Sequence, residues 1–257
     1  MDLLHTLFLF LAGIAGGVIS TLAGGAGIIT FPALLATGIS PVLATASNVV
    51  ALVPGNLLAV LYDRAQLPLL GRSFAILLAA SALGALAGGF LLLITPERVF
   101  ATLIPLLLGF ATVLFGFAGR ISAWLRARAT MRGEDGRPNW GAIVAWLMPV
   151  SIYGGYFGAG LGVLVLGVVS VGTGGDYRSA NVTKNLVVCI NSAVVSAFFA
   201  VQAIVAWPQA LVMMAGVPLG AFLGSRIARV LPNAVGRWLV VGVGALLTLA
   251  FAWRYWL

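Results

Sequence analysis

Gly24-Gly25-Ala26-Gly27, leading into Thr30-Phe31-Pro32-Ala33-Leu34-Leu35 and then Ala44-Thr45-Ala46-Ser47-Asn48, interrupts an apolar run with glycine and polar residues, and it has a counterpart later in the chain. Gly24 stands 136 positions before Gly160, and the same step carries Ala44 to Ala180, Ser47-Asn48 to Thr183-Lys184, Gly84 to Gly220, Gly88 to Gly224, Thr112 to Thr248 and Phe115 to Phe251. We read the chain as a duplication. Repeated halves whose apolar segments are broken at matching places are the sequence mark of many secondary transporters, which hold their substrate where the halves meet.

The composition agrees with a membrane setting. Of 257 residues, 61% are hydrophobic and 8% charged, with a mean hydropathy of +1.12, against about a quarter charged in a soluble domain. Fourteen Lys and Arg against six Asp and Glu give a net charge of +8. Most of the basic residues lie between or at the ends of apolar runs, where they set membrane orientation and do not form a nucleic-acid surface. Cys189 is the single cysteine, which excludes an internal disulfide framework or a cysteine-based metal cluster. The first twenty residues carry Asp2 and no Lys or Arg, so they read as a retained span and not as a secretory signal.

Apolar segments run from Leu3 to Ala36, Val42 to Leu61, Ser73 to Ile94, Val99 to Phe117, Gly141 to Val171, Ala180 to Ala206, Gln209 to Val230 and Val235 to Trp256. The expected fold is an all-α integral membrane protein with two homologous four-segment halves, about eight transmembrane helices in all. Residues 1–118 form the first repeat, 119–141 a basic cytoplasmic linker and 142–257 the second repeat. The first and fifth segments are too long for one crossing: a straight helix of their length covers about 45 Å against a hydrocarbon core of about 30 Å. Both carry glycine clusters, Gly13, Gly16, Gly17, Gly24, Gly25 and Gly27 in one and Gly154, Gly155, Gly158, Gly160 and Gly162 in the other. Glycine weakens a helix interior, which predicts a broken or re-entrant helix in each half. The alternative is that these glycines serve close helix packing, the role assigned to Gly84-x-x-x-Gly88 and Gly220-x-x-x-Gly224.

The linker, with Arg120, Arg126, Arg128, Arg132 and Arg137 against Glu134 and Asp135, reads as cytoplasmic, and four preceding spans place the N-terminus on its side, with the C-terminus expected there too. Arg64 and Arg72 agree with this. Arg226, Arg229 and Arg237 would face outward if every segment crossed once; a further re-entrant piece or an inverted second half reconciles them, so the relative direction of the halves stays open.

All six acidic residues lie in or beside connections, which argues against cation or proton carriage through buried carboxylates. Lys184 stands near the start of its span in Asn181-Val182-Thr183-Lys184-Asn185, with Asn191 and Ser192 two turns on; Thr45, Ser47, Asn48 and Asn56 are the first-half companions. A positive charge among amides and hydroxyls suits an anion. Together with helix ends freed at Gly24, Gly25, Gly27, Gly158 and Gly160, these residues form a candidate anion cradle. The competing reading of Lys184 is a side chain snorkelling to the headgroups. No nucleophile–base pair, intramembrane carboxylate pair or phosphate-cradling loop is present, so neither an enzyme nor a cofactor or metal is expected.

The Gly24-Gly25-Ala26-Gly27 and Phe31-Pro32-Ala33-Leu34-Leu35 opening, Ala44-Thr45-Ala46-Ser47-Asn48 with Val53-Pro54-Gly55, Ala180-Asn181-Val182-Thr183-Lys184-Asn185, and Gly220-Ala221-Phe222-Leu223-Gly224-Ser225-Arg226 resemble the TauE/SafE sulfite exporter family over nearly the whole chain. The resemblance implies a bacterial inner-membrane permease that exports sulfite, related sulfur oxyanions or organosulfonates. Its partners would be the bilayer and a small anionic substrate, with no nucleic acid and a homodimer left open. The second half departs from the first in having no proline equivalent to Pro32. Two other readings stand beside the carrier: a non-transporting membrane anchor, which would not need the repeated polar cluster, and an anion channel, which would conduct steadily.

Overall fold

The computed structural model describes residues 2–23, 25–63, 71–131, 140–172, 177–227 and 233–256. Gly24, Arg64, Arg132, Glu134, Asp135, Arg137, Asp176 and Arg229 lie outside the described residues. The described chain is helical throughout: α1 Leu3–Ala23, α2 Gly27–Ala36, α3 Pro41–Asp63, α4 Arg72–Ile94, α5 Glu97–Met131, α6 Trp140–Tyr156, α7 Leu161–Gly172, α8 Tyr177–Val201, α9 Trp207–Ile227 and α10 Asn233–Trp256. Seven of these helices are long and apolar enough to cross a membrane. Their outward faces are apolar as well, with Leu83, Phe90, Leu106, Leu246 and Leu249 all more than half exposed, as a surface solvated by acyl chains requires. The structure is an all-α integral membrane fold.

Each of the two oversized segments is divided in two. Helix α1 runs through Gly13, Gly16 and Gly17 and ends at Ala23, and α2 begins at Gly27; α6 runs through Gly154 and Gly155 to Tyr156, and α7 begins at Leu161. Only the later glycines of the first cluster and the middle ones of the second thus mark the breaks. The described elements are therefore ten helices where eight segments are legible in the sequence. Helix α5 also runs on to Met131, into the stretch read as linker. At the first break the chain doubles back: a side-chain carbon on Gly16 would meet both Ala26 and Thr30, which a straight helix would hold about 15 to 21 Å away. Helix α2 then folds back on α3, and Gly27 lies beside Asn48. The hydroxyls inside these helices are satisfied locally, as Thr30 donates to Ala26 O and Thr45 to Pro41 O, both at 3.0 Å. Such back-bonding keeps a polar side chain paired where no water is available.

The longest seams join one half to the other. Gly13 of α1 rests on Met213 and Gly216 of α9, Gly17 on Val217 and Ala221, and Gly224 on Val18 and Thr21. Residue numbers rise together along this seam, so α1 and α9 run parallel. Gly84 of α4 rests in the same way on Met148 and Ser151 of α6, and Gly88 on Ile152 and Tyr156, so α4 and α6 are also parallel. Helix α5 runs antiparallel to α10: Trp256 Nε1 donates to Thr102 O at 3.0 Å, while Gly109 meets Thr248, Gly116 meets Val241 and Gly119 meets Arg237. Only Thr95 and Pro96 separate α4 from α5, and the five residues between α9 and α10 extend about 20 Å at most, too few to return along a helix of about 30 Å.

Ser47 and Gly55 of α3 meet Ala206 and Val217 in rising order, so α3 is parallel to α9, and five residues reverse the chain between α8 and α9. Together these constraints give α1, α3, α5 and α9 one direction and α4, α6, α8 and α10 the other. Helices α1 and α6, which correspond under the 136-residue step of the Asn56–Ser192 pair, therefore point oppositely. One consequence is electrostatic. Arg72 at the start of α4, Arg120 late in α5, Arg226 at the end of α9 and Arg237 early in α10 gather on one face, called the arginine-bearing face below, whereas on the other Arg98 and Arg254 are offset by Asp2 and Glu97.

The glycine seams carry a stability prediction. A methyl on Gly220 would overlap the backbone of Ile14, whereas one on Gly242 would meet nothing within 4 Å. Gly220→Ala is expected to destabilise by roughly 1–3 kcal/mol through overpacking, and Gly242→Ala to be neutral or stabilising by up to about 1 kcal/mol through helix propensity. Thermal unfolding of the two detergent-solubilised variants checks the contrast.

Candidate functional site

The two breaks meet each other. A side-chain carbon on Gly27 would lie 3.5 Å from Ala159 and 3.5 Å from Asn48 Nδ2, so the start of α2, the turn before α7 and the flank of α3 converge at one point. A cavity of about 140 Å³ opens there. One buried water needs only about 10–15 Å³ of such space, so the cavity has room for several waters or one small anion. Its wall includes Ala26 and Gly27 from the first break, Gly158, Ala159, Gly160 and Gly162 from the second, and Ser20, Asn48, Asn56, Lys184, Asn185 and Ser192 as polar side chains. Among the described residues lining it, Lys184 alone carries a charge.

Local sequence explains why the two turns hold this shape. Gly158 and Gly160 have φ of +78° and +83°, in the left-handed region that glycine enters without penalty. Leu161 N then donates to Gly158 O at 3.2 Å and Val163 N to Gly160 O at 3.0 Å, starting α7. At the first break, Ile28 N donates to Gly25 O and Ile29 N to Ala26 O, and Ala26 provides no side-chain cap. Gly160, immediately before α7, has no side chain with which to cap. These backbone bonds take up the amides of Ile28, Ile29, Thr30, Leu161, Val163 and Leu164, so what the two helix starts offer the cavity is the positive ends of their dipoles.

Not every polar residue legible in the sequence reaches this cavity. Asn48, Lys184, Asn185, Gly27, Gly158 and Gly160 line it. Lys184 Nζ donates to Asn181 Oδ1 at 2.9 Å, so Asn181 positions the lysine from one turn away. Asn56 Nδ2 donates to Ser192 Oγ at 3.0 Å, joining α3 to α8 at equivalent positions. Thr45 is buried and bonded within its own helix, and Thr183 is buried outside the lining. Ser47 is fully buried, and its Oγ accepts from Ala206 N at 2.9 Å, fastening the α8–α9 turn. Gly25 packs against the Phe115 ring.

Ser20, Gly55, Ala59, Phe157 and Val217 also line the cavity and were not singled out for the site by sequence reasoning. Ser20, a hydroxyl four residues before Gly24, carried the only usable signal; the others look like ordinary span residues. Asn48 Oδ1 is buried without a hydrogen-bond partner, a group whose desolvation calls for a donor in the cavity.

A multi-pass helical fold with broken helices abutting at an internal polar cavity is the architecture of many membrane transporters. The chain matches the sulfite exporter TauE/SafE family over residues 9–251 and belongs to that family. It is 28% identical to a "Probable membrane transporter protein" of Haemophilus influenzae, over 96% of this chain and 94% of the relative. It is 32% identical to "Probable membrane transporter protein ORF9" of Sinorhizobium sp, over 86% and 82%, and 25% identical to "Probable membrane transporter protein YfcA" of Escherichia coli K12, over 93% and 87%. No solved structure matches it significantly.

The division between lining and fastening residues is testable. Ser47→Ala leaves the buried amide of Ala206 unpaired and is expected to lower stability by about 1–3 kcal/mol without changing anion affinity. Thermal unfolding and anion-dependent thermal shifts on the same sample separate the two effects.

Proposed function

We propose that this transporter carries small sulfur-containing oxyanions, such as sulfite or organosulfonates, by alternating access between its two repeats, with the cavity at the paired helix breaks as the substrate site. The observation that carries this reading is the convergence of two uncapped helix starts with Lys184 on one cavity free of carboxylates among its described lining residues. The positive ends of helix dipoles attract anions, and a lysine held by Asn181 supplies a fixed positive charge. The family description supports sulfur oxyanions as the class. Opposite directions of α1 and α6 support an inverted-repeat carrier, in which rocking about a central site exposes it to each side in turn.

The arginine-bearing face is proposed to be cytoplasmic by the positive-inside rule. Arg226 and Arg237 then share that face with the linker, which removes the conflict left by eight single crossings. Both chain ends accordingly lie on the extracytoplasmic side of the inner membrane, in place of the cytoplasmic side expected when all segments were counted as single spans. A protease site appended after the last residue should be cut from outside intact spheroplasts.

Lys184→Met is expected to weaken anion binding by about 1.5–3 kcal/mol, the worth of a charge-assisted hydrogen bond, or roughly 10- to 100-fold in affinity. Sulfite counterflow in proteoliposomes measures it. Unchanged counterflow in the variant removes Lys184 from the site, and steady conductance without counterflow makes the protein a channel.

A further inference from the structure

The two sides of the cavity are built from different materials. On one side its wall continues along Ser20, Gly55 and Ala59, small residues leading toward the ends of α1 and α3 on the arginine-bearing face. On the other side it stops at Phe157, which lines the cavity and is itself 2% exposed. Behind it, the Phe31 ring meets the Phe157 ring edge-on at 5.3 Å between centroids. Phe100 lies 6.5 Å from Phe157 and 5.5 Å from Tyr156. Phe31 and Phe100 are both buried, and Phe100 stands one turn into α5 on the face opposite the arginines. Beside this stack, Val195, Phe198 and Phe199 pack onto Gly89 and shut the seam between α4 and α8.

The repeat makes the asymmetry plain. On the glycine seams the step is 134, since Ile14 on Gly220 matches Met148 on Gly84 and Thr21, which bonds Ala221 O, matches Gly155, which meets Ala85 O. Tyr156-Phe157 therefore corresponds to Leu22-Ala23, and under the 136-residue step of the Asn56–Ser192 pair Phe100 corresponds to Gly236. Neither Phe157 nor Phe100 is thus matched by an aromatic residue in the other half. On α3 and α8, half-buried Gly55 and Ala59 correspond to Asn191 and Val195, which are fully buried.

We propose that Phe157, backed by Phe31 and Phe100, is the gate that closes the cavity from the face opposite the arginines. Taking the cavity as the substrate site of the preceding section, this gate must yield each time the site opens to that face. Stacked rings leave no polar group to hydrate the gap, so the barrier works by excluding water. Phe157 is adjacent to Gly158 and three residues from Gly160, both at positive φ, and a pair of such glycines at a helix end is suited to absorb the backbone rotation that moves the ring.

Sidedness of thiol labelling tests the gate without reference to any substrate. In a Cys189→Ser background, Ala59→Cys is labelled by a membrane-impermeant methanethiosulfonate in sealed vesicles of each orientation. Labelling is expected from the arginine-bearing face only, and adding Phe157→Thr, which removes the ring, is expected to abolish that sidedness. Two further single cysteines remove dependence on how well Phe157→Thr folds: Phe157→Cys should react from the arginine-bearing face and Phe100→Cys should not. One-sided labelling of Ala59→Cys that persists in folded Phe157→Thr, or equal reactivity of positions 157 and 100 from that face, overturns the gate and leaves the substrate site standing. An Ala59→Cys inert from both faces in every variant overturns the wet cavity and the gate with it.

Discussion

A bilayer offers no hydrogen bonds to an unwound backbone, and this constraint organises the whole molecule. Helix starts at Gly27 and Leu161 would be untenable against acyl chains. The fold resolves this by placing the two breaks against each other, Gly27 beside Ala159, inside a shell of α1, α3, α5, α8 and α9. Once both breaks are central, the cavity between them gathers the two helix starts with Asn48, Lys184 and Asn185, away from acyl chains.

The shell is closed by exchange between the halves. Helix α1 packs along α9 and α6 along α4, so the opening helix of each half lies against the fourth helix of the other. With Gly13, Gly17, Gly216, Gly220 and Gly224 on one seam and Gly84, Gly88 and Gly155 on the other, backbones approach closely enough for dispersion to replace the hydrophobic effect, which lipid abolishes. In the proposed alternating-access cycle these seams move as units, and the α3–α8 crossing, where Asn56 and Ser192 meet, and the turns at Gly158 and Gly160 take up the motion.

The chemistry of the cavity is economical. One lysine, two asparagines besides Asn56, and backbone ends supply positive potential in a region without a described carboxylate. A fixed positive charge set in low-dielectric surroundings attracts an anion as it repels a cation. Tethering of Lys184 by Asn181 matters because an untethered lysine near a helix start would reach for the headgroups.

Membrane residence, the helical class and the positions of both breaks are legible in the chain alone, because hydropathy and glycine placement act locally. Gly25-Ala26 and Phe157-Gly158-Ala159-Gly160 stand between helices, as glycine placement in the chain predicts. Charge placement likewise marks the loops. Other properties depend on three-dimensional packing. The opposed directions of the halves emerge from which helices lie parallel, and no periodicity in the chain encodes that. Thr45, Ser47 and Thr183 resemble Asn48 and Lys184 in type and neighbourhood, yet they turn to their own helix or away from the cavity. Helical phase relative to distant partners selects among such neighbours: residues one or two positions apart point in different directions, and only the assembled bundle determines which direction is wet.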